Sequence, residues 1–114
     1  MQSRENYDAI PKCPSAEVML FHVVDSRTKE PLAGTVFELI HKNRAAMIAT
    51  TGKSGSFSLE RLHPGDYELV ETTAASGYLP MDKNVNIKVS ECGCAAINGI
   101  PANCIVLENT RAGE

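Results

Sequence analysis

Residues 50–72 read TTGKSGSFSLERLHPGDYELVET, and this stretch decides the fold. TGKSG has the composition of a hairpin turn. After it, Phe57 and Leu59 alternate with Ser56, Ser58 and Glu60, the period of a half-buried strand. HPGD then makes a corner, because Pro64 presets φ and Gly65 tolerates a positive one. DYELVE alternates again. A helix through LERLH would be too short to hold, and Pro64-Gly65 would stop it.

The same texture extends in both directions. VMLFHVV (18–24), TVFELI (35–40) and AMIAT (46–50) precede the stretch, with polar breaks between them. After the long connection ASGYLPMDKN comes VNIKV, where Val85, Ile87 and Val89 share one face. A cysteine-rich loop leads to CIVLEN (104–109). About seven short strands at this spacing predict an all-β, immunoglobulin-like β-sandwich. The expected organisation is a flexible tail or linker over 1–16, the sandwich over 17–110 and a short tail over 111–114.

Composition agrees with one small domain. Of 114 residues, 43% are hydrophobic, which supports a core, but only 5% are aromatic, so that core is aliphatic. The net charge of -3 comes from mixed charges with no basic stripe, which argues against nucleic acid and anionic lipid as partners. No apolar run has the length of a membrane span or signal peptide, so membrane insertion is not expected.

One carboxylate stands out. Side chains alternate faces along a strand, so Glu71 has the parity of the core residues Tyr67 and Leu69. By the same rule Asn109 shares a face with Ile105 and Leu107, and Met19, Phe21 and Val23 share another. A carboxylate pointing inward must be paired, hydrogen-bonded or protonated. Asn109 has an amide to offer. Alternatively, both groups sit at strand ends and are hydrated.

The segments VVDSRTKEPLAGTVFEL and TTGKSGSFSLERLHPGDYELVETTAASGY, with a closing strand that ends in Asn, resemble the Cna-B-type domain. This SpaA-like, prealbumin-like module belongs to Gram-positive surface adhesins and pilins. The resemblance runs from about Val18 to Thr110. It implies a stalk or spacer, and in many members an intramolecular isopeptide bond. There a lysine on the first strand attacks an asparagine or aspartate side chain on the last, while a buried glutamate shuttles protons. A desolvated lysine is a neutral nucleophile, and a neutral carboxylic acid polarises the amide.

Matched position by position, Glu71 takes the glutamate's place and Asn109 the asparagine's. The lysine belongs two residues before the aspartate that opens the PLAG turn. That aspartate is Asp25, so its slot holds Val23. Neighbouring His22 has the outward parity, Lys12 lies in the tail and Lys29 in the turn. The expected result is a module without the isopeptide bond, in which Glu71, protonated or hydrogen-bonded to Asn109, remains as half of a remnant pair.

The four cysteines, Cys13, Cys92, Cys94 and Cys104, suit disulfides, which would replace the missing clamp. Four cysteines allow three full pairings. A bond from Cys104 to Cys92 or Cys94 would staple the final hairpin, leaving Cys13 to tie the tail to the remaining thiol. The other reading is that some or all four are free. Cys-x-Cys departs from the zinc knuckle Cys-x-x-Cys, so no metal is expected, nor any cofactor.

Nothing else in the chain suggests chemistry on an external substrate. His22, His41 and His63 do not form a ligand-spaced cluster, and TGKSG lacks the phosphate-loop spacing and the following helix. The sequence therefore predicts a non-enzymatic structural spacer, extracellular or cell wall-associated by resemblance, joined to neighbouring domains of a longer surface protein. The alternative is a module that binds a host or matrix protein or a glycan through its loops. Tyr78 would be its contact, with Tyr7 a further aromatic.

Overall fold

The computed structural model describes residues 13–113. Lys12 and Tyr7, and the tail up to residue 12, lie outside the described residues. Ten strands form among those described: β1 (Val18–Asp25), β2 (Val36–His41), β3 (Arg44–Thr50), β4 (Ser56–Glu60), β5 (Gly65–Thr73), β6 (Tyr78–Leu79), β7 (Val85–Val89), β8 (Ala95–Ile97), β9 (Ile100–Pro101) and β10 (Cys104–Arg111). The three beyond the expected seven are β6, β8 and β9, of two or three residues each. Such short segments are too brief to show a period in sequence.

The strands make a sandwich. One sheet has the order β4-β1-β10-β6 and the other β3-β2-β5-β7-β8-β9. First and last strands lie side by side and parallel, with Val23 beside Leu107 and Asp25 beside Asn109. A parallel pair cannot be joined by a tight turn, so the chain must travel round both sheets between them.

The core follows the alternation. Met19, Phe21 and Val23 of β1, Phe57 and Leu59 of β4, Tyr67 and Leu69 of β5, and Val85, Ile87 and Val89 of β7 are all buried. Phe21 stacks on Phe57 with ring centroids 4.9 Å apart, and Phe37 closes on Phe57 at 5.1 Å from the opposite sheet. β3 is the exception. As an edge strand of its sheet it is exposed along nearly its whole length.

Two turns lock together at one end. Leu32 of the PLAG turn is buried and donates its N–H to Val23 O. The Thr51 hydroxyl donates to Leu32 O and accepts from Thr35 N, so the two loops share one buried hydrogen-bonded knot. Gly55 ends the TGKSG turn at φ +72° and packs under this knot. A Cβ there would lie 2.7 Å from Pro31 Cβ and 2.8 Å from Val23 O.

The segment expected to be a loose tail is docked where it is described. Ala16 is buried, Ala16 N donates to Gly93 O, and Ala95 N donates to Pro14 O. Cys13 and Cys94 are joined by a disulfide that closes a loop of sequence separation 81.

Candidate functional site

β5 and β10 belong to opposite sheets, and Glu71 and Asn109 project from them toward each other. Asn109 Nδ2 donates to Glu71 Oε2 at 2.6 Å. Glu71 Oε1 accepts from the backbone N–H of Met81 at 2.8 Å. Asn109 is 1% exposed, whereas Glu71 is half-buried. The difference has a local cause. The register between β2 and β5 slips between Val36 and Phe37, opposite Glu71, and the end of β5 opens to solvent there. The carboxylate is thus satisfied by two donors at the rim of the core.

Val23 lies on the same inner face as Asn109, one diagonal step away across the parallel pair, and is fully buried. Among the described residues, the amide and the carboxylate have no amine as a hydrogen-bond partner. Lys29 is held elsewhere: its Nζ lies 2.6 Å from Glu108 Oε2 and donates to Ser26 O. Together Glu71 and Asn109 can pin one sheet to the other. Beside Asn109 runs an open groove of about 450 Å³, lined in part by Met81, Lys83 and Leu107.

The sequence reading passed over Asp25, although its parity with Val23 places it inward. It is 3% exposed. Asp25 Oδ1 accepts from the N–H groups of Arg27 and Thr28, which fixes the turn after β1. Asp25 Oδ2 accepts from the Tyr78 hydroxyl at 2.6 Å. That hydrogen bond, then those from Thr28 and Arg27, lower the Asp25 pKa from 3.8 to about 2, with the nearby Arg111 adding a smaller pull. Arg111 also lies over the Tyr78 ring, 5.7 Å from its centroid. Tyr78, expected as a loop contact, is half-buried and directs its hydroxyl into its own domain.

His22 sits next to Ser56, with Nδ1 and Oγ 2.7 Å apart. His41 stacks on Tyr67 with centroids 4.6 Å apart, and His63 is exposed.

The cysteines depart from the expected final staple. Cys13 bonds Cys94, while Cys92 and Cys104 are free and exposed. Cys104 is out of play because β10 turns Leu107 and Asn109 inward, so Cys104 faces outward beside Leu20. The disulfide also takes two of the four thiols out of any zinc set.

Comparison with known proteins places these features. The family model for the SpaA prealbumin-like fold domain matches residues 18–100. No curated protein sequence matches. Among solved structures, the group B streptococcus pilus 2b backbone protein superposes with a TM-score of 0.66 at 23% identity, over 85% of this chain and 42% of that one. The streptococcal ancillary pilin gives 0.65 at 26% identity, over 90% of this chain and 31% of that one. BcpA, the major pilin subunit of Bacillus cereus, gives 0.65 at 20% identity, over 87% and 31%. The chain therefore spans less than half the length of each.

Proposed function

This chain belongs to the SpaA family of prealbumin-like fold domains, and from that premise we propose that it is a structural spacer module of a cell-surface adhesin or pilus-like protein, braced by a disulfide. On this reading the Lys–Asn isopeptide bond that the resemblance implies for many members is not formed. Its role is mechanical, with no catalysis on an external substrate.

The observation that carries this reading is the path of the covalent chain. Tension entering from the N-terminal side meets Cys13, crosses the disulfide to Cys94, and leaves through β8, β9 and β10. Residues 14–93 lie inside the closed loop and are shielded from the pull. An isopeptide bond between first and last strands would shield the interior of a domain in the same way. The buried Val23 and the engaged Lys29 support the absence of that bond.

Similarity to parts of longer pilins supports neighbouring domains in a longer protein, and a place on the cell surface or wall. A binding role through Tyr78 has no specific observation in its favour, since Asp25 holds that hydroxyl. Pulling the chain by its ends with the disulfide intact and then reduced tests the bracing role. A screen against glycans and matrix proteins that finds a saturable ligand would move the reading to the binding module.

A further inference from the structure

A free thiol stands against the disulfide. Cys92 Sγ lies 3.4 Å from Cys94 Sγ, which is already bonded to Cys13. A tight turn creates the contact: Gly93 N donates to Ser90 O, Ser90 N donates to Cys94 O, and Gly93 adopts φ +87°. The Ser90 hydroxyl accepts from Cys94 N at 3.0 Å. Ser90 Oγ also lies 3.2 Å from Cys92 Sγ, within hydrogen-bond reach. Cys92 is exposed, so base and solvent reach it.

We propose that Cys92 is an exchange thiol that opens and closes the Cys13–Cys94 disulfide without any external reductant. Cys92 loses its proton to solvent, and its thiolate attacks Cys94 Sγ. The Cys92–Cys94 bond forms as the Cys13–Cys94 bond breaks, and Cys13 leaves as a thiolate that takes up a proton. One disulfide and one thiol exist on each side, so no oxidant or reductant is consumed. The product bridges Cys-Gly-Cys, across a residue that tolerates the turn. A turn brings Cα atoms two residues apart into the range that a disulfide spans.

The consequence is topological. In the Cys13–Cys94 form the loop of sequence separation 81 is closed; in the Cys92–Cys94 form it is open, and Cys13 is free. The Pro14 and Ala16 backbone bonds to Ala95 and Gly93 still dock the segment, so the fold survives while its covalent shield is lost. Cys104 faces outward beside Leu20 and takes no part.

The test is thiol mapping of the oxidised chain. The protein is incubated at mildly alkaline pH without reductant, quenched in acid, alkylated rapidly, digested unreduced and mapped. The expected result is a fraction of molecules carrying label on Cys13 and none on Cys92, growing toward a plateau faster at higher pH. Cys92→Ser loses the Cys13 label, and Cys104→Ser retains it. Label on Cys92 in every molecule and on Cys13 in none, at every time and pH, overturns the proposal. So does Cys13 labelling that persists in Cys92→Ser.

Discussion

Reducing the Cys13–Cys94 disulfide should change how far the domain can be stretched, by an amount fixed by the sequence. While the bond is intact, tension between the ends bypasses the loop of sequence separation 81. An extended residue contributes at most about 3.3–3.6 Å, so breaking the bond adds about 280 Å of contour length per domain. The assay is single-molecule force spectroscopy on the chain held at both ends, first oxidised and then with reductant, or on Cys13→Ser. Oxidised molecules should show only the short extension of the segment after Cys94, and reduced molecules the added length. In bulk, closing a loop of this size is worth up to about 4.5 kcal/mol in the chain-entropy account, so denaturant midpoints should fall on reduction. Equal contour lengths before and after reduction would refute the reasoning, because the disulfide would then not lie in the load path.

Three further outcomes follow from the geometry. Gly55→Ala forces a Cβ into Pro31 and Val23 O on a left-handed backbone, costing at least about 1–2 kcal/mol from the backbone alone, so a thermal melt should shift down by several degrees. The Asp25 pKa is lowered on folding, so its contribution to stability is present above about pH 4 and is lost as pH falls toward about 2; acid titration of Asp25→Asn should be flatter across that window than wild type. Val23→Lys puts an amine on the inner face one diagonal step from Asn109. After reduction its intact mass should be one ammonia below the encoded value, and Val23→Lys with Glu71→Gln should keep that ammonia.

Much of the fold was legible because burial on one face imposes a period of two. Val85, Ile87 and Val89, or Phe57 and Leu59, leave little choice of face. The same rule placed Glu71 and Asn109 inward, and extended two residues it would have found Asp25. It would also have turned Cys104 outward, since Ile105 and Leu107 point the other way. What parity cannot show is depth. Glu71 is half-buried rather than enclosed because of the register slip on β2, and Met81 N reaches it from a loop with no sequence pattern. Nor can spacing assign a disulfide: Cys94 meets Cys13 because the segment before β1 docks on β8 through backbone bonds, which any residues can make.

The central claim, that a disulfide braces this domain in place of the isopeptide bond that the family resemblance implied, is tested most directly by intact mass with and without reductant. The account predicts the encoded mass less the two hydrogens of one disulfide, fully restored on reduction. A mass lower by one ammonia that survives reduction would contradict it, and Lys83, in the groove beside Asn109, would be the first donor to examine.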